Sequence, residues 1–190
     1  MFGQIGSLLI DTLGMLLVYT LLLRFHMQWL RAPFRNPVGE FIAALTNWAV
    51  LPVRRVIPGM LGLDVATLLL AWLTQVLVTA LLLALRGYDF ASAPGIAFGL
   101  LAVMAVLDLL ALSIKLLIGA AIVQAILSFV SPYSVLAPVL DALTRRFYAP
   151  FRRFIPPLGS FDLSPLFLIL AAQIALIMLD NVKQFAASPF

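Results

Sequence analysis

The chain has no cysteine. Disulfides, a thiolate nucleophile and a thiolate-bound iron–sulfur cluster are therefore excluded. It has a single histidine, His26, with no second imidazole to complete a haem or zinc ligand set. Charge is scarce as well: 11% of residues are Asp, Glu, Lys or Arg, against roughly a quarter in soluble domains. No Gly-rich phosphate loop, nucleophile elbow or metal-ligand cluster is present, so the sequence offers no acid, base and nucleophile for an enzyme and calls for no cofactor.

Hydrophobicity fills the space that charge leaves. With 64% hydrophobic residues and a mean hydropathy of +1.13, the chain reads as an integral membrane protein. Apolar runs at about 5–30, 63–85, 96–131 and 163–180 each approach or exceed the ~20 residues a bilayer-crossing helix needs. They are expected to be helices, because an open sheet cannot satisfy its backbone in hydrocarbon. Residues 1–23 lack a basic start and a small-residue cleavage site, so the first run is expected to remain a span. Ten of the twelve prolines fall in two stretches, 33–58 and 132–165, where they punctuate the connections.

The chain also repeats itself. Residues 44–78 align without a gap on 142–176, with twelve identities in 35 positions. Ala44-Leu45-Thr46, Pro52, Arg54-Arg55, Ile57-Pro58, Asp64, Leu68, Leu70 and Gln75 recur as Ala142-Leu143-Thr144, Pro150, Arg152-Arg153, Ile155-Pro156, Asp162, Leu166, Leu168 and Gln173. Generic hydrophobicity cannot place prolines, paired arginines, an Asp and a Gln in register, so the chain is a tandem duplication. Its two units are set at 1–92 and 93–190. In the first spans, Arg24, Gln28 and Trp29 correspond to Gln124, Ser128 and Phe129.

Topology follows from arginine. Nine of the twelve basic residues (Arg24, Arg31, Arg35, Arg54, Arg55, Arg145, Arg146, Arg152 and Arg153) lie in or beside the two proline-rich connections, which the positive-inside rule places in the cytoplasm. Keeping both Arg pairs inside requires residues 93–132 to cross once, with a short re-entrant or outer-surface helix at about 96–110 as the alternative. The expected fold is all-α, two tandem parallel repeats with both termini outside. Each repeat runs span, amphipathic cytoplasmic helix, basic Pro-bounded turn, span. In the first amphipathic helix Val38, Phe41, Ile42, Leu45 and Ala49 share a face, with Glu40, Thr46 and Asn47 off it. In the second, Leu136, Val139, Leu140, Leu143 and Phe147 do so, with Asp141, Arg145 and Arg146 polar.

The signature P-x-R-R-x-I-P frames Arg54 and Arg55 between Pro52 and Pro58, and Arg152 and Arg153 between Pro150 and Pro156. Arginine forks bind phosphate bidentately, which suits anionic lipid headgroups. A docking surface for a membrane-protein partner and a purely topological role are the other readings. Asp64 and Asp162 begin the returning spans, where a carboxylate caps a helix or pairs with the arginines. Ser164-Pro165 is a stronger cap signal in the latter repeat, with proline at the first helical position, and is expected to free Asp162 for another job. Gln75 and Gln173 lie eleven residues further on, about 16 Å into the bilayer, as interhelical hydrogen bonders or the lining of a polar path. Arg24 is expected to snorkel to the interface and Trp29 to anchor there. Asp11, Asp108, Lys115 and Asp180 are further intramembrane charges, and pairing of Asp108 or Asp11 with Lys115 would bury that lysine. The net charge of +4 fits cytoplasmic connections, and with no basic stripe beyond the membrane surface a nucleic-acid partner is not expected.

With Asn36-Pro37, the doubled A-L-T…P-x-R-R-x-I-P…D and Asp162-Leu163-Ser164-Pro165, the chain resembles the YggT family of bacterial membrane proteins over roughly residues 5–180. Related YlmG proteins often carry one copy. Two copies are typical of proteobacterial members, which implies a Gram-negative inner membrane. The resemblance implies links to osmotic or extracytoplasmic stress, to septum and nucleoid organisation and, in plastids, to assembly of the cytochrome b6f complex. It implies no enzymatic activity. Two departures from symmetry, Asn36-Pro37 against Ser134-Val135 and Ala66-Thr67 against Ser164-Pro165, argue that the halves differ in function. The expectation is a non-enzymatic scaffold or assembly factor acting through Arg54, Arg55, Arg152 and Arg153 on anionic lipid or a membrane partner, with homo-oligomerisation open. The alternative is a small ion or osmolyte channel using Gln75 and Gln173.

Overall fold

A computed structural model describes residues 2–60, 62–91, 94–131, 133–154 and 162–187. Six helices follow one another: α1 (Phe2–Trp29), α2 (Pro37–Val56), α3 (Val65–Leu85), α4 (Pro94–Val130), α5 (Ala137–Phe154) and α6 (Ser164–Ala187). Four of them, α1, α3, α4 and α6, are long and apolar enough to cross a membrane. The described residues form no strands. Two tandem units result, α1–α3 and α4–α6, each a long helix, a shorter amphipathic one and a returning long helix. This is the expected architecture.

Local chemistry sets the boundaries. Arg31, at φ 56°, ends α1 in a left-handed residue, and its neighbour Ala32 N–H donates to the Met27 carbonyl at 2.7 Å, a cap that glycine usually fills. Gly87, at φ 82°, does the same for α3, with Tyr88 N–H donating to Leu83 at 3.1 Å. The start of α2 is fixed by Asn36, whose side chain accepts the Gly39 N–H at 3.0 Å, with Pro37 in the first turn, where its missing N–H costs nothing. A Cβ at Gly39 would lie 2.1 Å from the Phe34 carbonyl oxygen, so this turn admits no side chain.

The stretch expected to cross once, or to begin with a separate short helix at about 96–110, is a single helix. α4 runs 37 residues, about 55 Å, far more than the ~30 Å hydrocarbon core. What the sequence divides into a surface helix and a basic turn is also continuous: Pro52 and Pro150 lie inside α2 and α5, and the Arg pairs occupy the last turns. Cations there complement the negative end of the helix dipole. Pro58 follows the α2 C-cap, Ile57, and Pro156 lies outside the described residues.

Within the bundle α1 packs on α3, α4 on α6, and α3 on α4 to join the repeats, while α2 and α5 close one end. α1 and α3 approach closely at Gly14, where a Cβ would lie 2.3 Å from a Val78 methyl carbon. One core cluster gathers Val18, Leu21, Leu22, Val50, Ala71, Leu109 and Leu112. A second, of Met27, Ala32, Ile42, Val139 and Leu143, binds α2 and α5 to α1.

Candidate functional site

At the end of the bundle closed by α2 and α5, the first arginine of each signature enters the same device. Arg54, in the last turn of α2, turns its guanidinium onto Asp64, with Nε 3.2 Å from Oδ1 and Nη2 bonded to Oδ2. Arg152, in the last turn of α5, holds Asp162 through Nε at 3.0 Å and Nη2 at 2.7 Å. Both pairs span ten residues, and each clamps the end of an amphipathic helix to the start of the returning span.

The aspartates do a second job in each repeat. Asp64 is the N-cap of α3, accepting the Thr67 N–H at 3.3 Å and the Thr67 hydroxyl. Burial pushes the Asp64 carboxyl up, but the Arg54 and Thr67 hydrogen bonds and the Arg54 charge outweigh it and leave the group below the usual carboxylate value. Asp162 accepts the Ser164 N–H at 2.8 Å, so the Ser-Pro cap signal does not release it. Its carboxyl is likewise lowered, burial being outweighed by Ser164 and Arg152.

The two clamps differ in exposure. The Asp64 side chain is 5% exposed and that of Asp162 38%. The second clamp has compensation that the first lacks: Arg152 lies over the ring of Tyr148, 5.3 Å from its centroid, where the first repeat has Val50. Tyr148 is buried in α5, which pushes its hydroxyl up to about 12.

This geometry divides the expected binding set. The forks of Arg54 and Arg152 are already occupied by carboxylates, so these two residues position the elbow rather than reach outward. Arg55 and Arg153 are exposed and make no ion pair with a described residue. Among the described residues they present one guanidinium per repeat, outside any ion pair, at corresponding places.

Sequence reasoning missed the device one layer in. Arg24 does not snorkel: it is buried and donates from Nη1 to the Thr46 hydroxyl at 2.6 Å and to Asn47 Oδ1 at 2.8 Å. The Thr46 hydroxyl in turn donates to the Ile42 carbonyl at 2.6 Å. The counterpart threonine, Thr144, meets Gln124 and the Leu140 carbonyl. A hydroxyl has one proton, so the arrangement is satisfied with the Gln124 amide nitrogen toward Thr144, the orientation that copies Arg24 on Thr46. Both threonines are fully buried. The buried charge thus rotates α2 from its expected face: Thr46 turns in and Phe41 stays exposed. The duplicated A-L-T was the available signal. Trp29, too, is more than an anchor, since Arg146 lies 5.6 Å from its ring centroid and ties α5 to α1.

The intramembrane polar residues do not pair as expected. Gln75 is buried and donates to Asp108 Oδ2 at 3.0 Å, whereas Gln173 is exposed on α6, so the two glutamines do not meet. Asp108 takes its salt bridge from Lys183, at 2.8 Å, not from Lys115. Lys183 lies on α6 beside α4, while Lys115 is exposed and pairs with neither Asp108 nor Asp11. The Gln75, Asp108 and Lys183 chain joins α3, α4 and α6 across the repeats. No group of three or more metal-ligating side chains occurs among the described residues.

Two stretches of the chain, residues 4–85 and 103–182, match the CCB3/YggT family. An uncharacterised protein of Pseudomonas aeruginosa is 36% identical over 95% of this chain and 91% of its own length. An uncharacterised protein of Vibrio alginolyticus is 36% identical over 93% and 94%. The uncharacterised protein YggT of Escherichia coli K12 is 34% identical over 86% and 83%. No solved structure matches the chain.

Proposed function

The chain belongs to the CCB3/YggT family, and from that premise we propose that it is a non-enzymatic scaffold or assembly factor of the bacterial inner membrane. It engages anionic lipid headgroups or a membrane-protein partner through Arg55 and Arg153. One observation carries the reading: in both repeats an Asp ten residues on locks the first arginine of the pair and leaves the second exposed and without an ion pair among the described residues. Bulk positive charge for topology needs no such lock, because the positive-inside bias depends on the number of cations near a span and not on their orientation. A held guanidinium beside a free one suits directional, bidentate recognition of phosphate or carboxylate. Positive-inside placement puts these elbows in the cytoplasm and both termini in the periplasm. A role in osmotic or envelope stress, or in cell division, is the part of the proposal that the family resemblance implies. A solute path gains less support, since Gln173 is exposed while Gln75 is engaged by Asp108.

The test is in-membrane crosslinking and affinity capture from native cells, comparing the wild type with an Arg55→Gln, Arg153→Gln double variant at equal insertion. A stoichiometric lipid or protein companion present with the wild type and lost with the double variant is the expected result. Identical companions, or none with either chain, would remove the scaffold reading and bring liposome flux assays forward.

A further inference from the structure

The two repeats form an open-sided cleft of about 770 Å³ between α1, α3, α4 and α5, within the ~300–1,000 Å³ usual for a ligand site. Its walls are almost wholly apolar, with Leu22, Leu69, Leu109 and Leu117 among them. Trp29 and Phe147 also line it, from the closed end of the bundle where α2 and α5 sit. There the Arg146 guanidinium lies over Trp29, 5.6 Å from the ring centroid. Arg146 is exposed and makes no ion pair with a described residue. The cation–π contact holds the charge in place without neutralising it.

We propose that this cleft seats one anionic diacyl phospholipid, its acyl chains between α1, α3 and α4 and its phosphate on Arg146. An apolar slot whose wall residue Trp29 carries an Arg146 guanidinium outside any ion pair among the described residues complements an amphiphile with net negative charge; a zwitterionic lipid supplies its own counter-cation. A neighbouring protein span fits poorly, because a helix with its side chains is a rigid cylinder ~10–12 Å across, whereas acyl chains are flexible and lie with part of their length in the slot and the rest in the surrounding bilayer. Walls contributed by both repeats make the site a property of the duplicated chain, one site per molecule and not one per repeat. The assignment extends the lipid arm of the proposed function but uses Arg146 in place of Arg55 and Arg153, so either can fail while the other stands.

Photo-crosslinking in vesicles tests it, with phosphatidylglycerol and phosphatidylcholine probes carrying a diazirine on the acyl chain. The expected result is labelling within the cleft, at or near Leu110 and Ile114, roughly five-fold stronger for phosphatidylglycerol. Arg146→Gln should reduce that preference to parity while Arg55→Gln with Arg153→Gln leaves it intact. Arg146→Lys should retain part of it, and Leu110→Trp, which narrows an exposed stretch of the wall, should reduce labelling by both probes. Equal labelling of the wild type by the two lipids, or a preference indifferent to Arg146→Gln, would overturn the proposal. Competition by free inorganic phosphate as effective as competition by phosphatidylglycerol would also overturn it, since the site would then recognise a headgroup alone.

Discussion

Asp64→Ala and Asp162→Ala remove corresponding carboxylates from corresponding clamps, yet the structure assigns them unequal costs. Asp64 is 5% exposed and its partner Arg54 33%. Removing Asp64 leaves a guanidinium two-thirds buried without its counter-charge and uncaps α3. Breaking a fully buried pair costs ~3–5 kcal/mol, which Arg54's access to water reduces, while the lost cap adds ~1 kcal/mol. A total of about 3 kcal/mol follows. In the second repeat the partners are 48% and 38% exposed, the range in which ion pairs contribute ~0–1 kcal/mol, and the lost bond to the Ser164 N–H brings the sum to about 1 kcal/mol. The assay is equilibrium unfolding in mixed micelles, followed by the fluorescence of Trp29, Trp48 and Trp72. The pH dependence supplies an internal check. The folded Asp64 carboxyl lies below its ordinary value of 3.8, so its contribution is complete above that value and is lost as pH falls through the lower folded one. Asp64→Asn should therefore flatten the acid limb of the stability curve. Equal losses for the two alanine variants, or an acid limb unchanged by Asp64→Asn, would refute the reasoning.

Three further predictions rest on single positions. Arg31→Gly, which relieves a non-glycine residue held at φ 56°, should stabilise the chain by about 1 kcal/mol in the same unfolding assay. Gly39→Ala must displace the Phe34 carbonyl that stands 2.1 Å from the new Cβ and should cost more than about 2 kcal/mol, seen as early loss of α2 in hydrogen exchange. Thr46→Val takes a hydrogen-bond acceptor from buried Arg24 and should cost ~2 kcal/mol, whereas Thr144→Val deprives only a neutral Gln124 and should cost ~1 kcal/mol, a ranking that paired melting curves will read.

Much of the fold was legible because its signals are local or duplicated. Apolar length gives the spans, Asn36-Pro37 and Asp64 mark helix starts, and a repeated Arg with an Asp ten residues on announces a clamp. The pairings inside the bundle were not legible for a tertiary reason. Asp108 and Lys115 are seven residues apart on one helix, which makes them look like partners, but packing of α4 on α6 brings Lys183 to Asp108 instead. Lys183 stands beyond the apolar run at 163–180 and so looks solvent-exposed in sequence. Arg24 misled in the same way: a cation near the end of a span ordinarily snorkels, and only the approach of α2 provides Thr46 and Asn47 as buried partners. The basic turn was drawn as a turn because proline usually ends a helix, yet Pro52 and Pro150 are exposed within α2 and α5.

The most direct test of the division of labour within each Arg pair is to count anionic lipids retained by the purified chain in native mass spectrometry. Three proteins are compared: the wild type, the Arg55→Gln, Arg153→Gln variant and the Arg54→Gln, Arg152→Gln variant, with unfolding measured alongside. The account predicts that changing Arg55 and Arg153 lowers the number of bound lipids at unchanged stability, leaving the lipid seated in the cleft on Arg146, and that changing Arg54 and Arg152 lowers stability along with binding. Retention of lipid by the Arg55→Gln, Arg153→Gln chain at the wild-type level, in a preparation that captures no Arg-dependent protein companion either, would contradict the account.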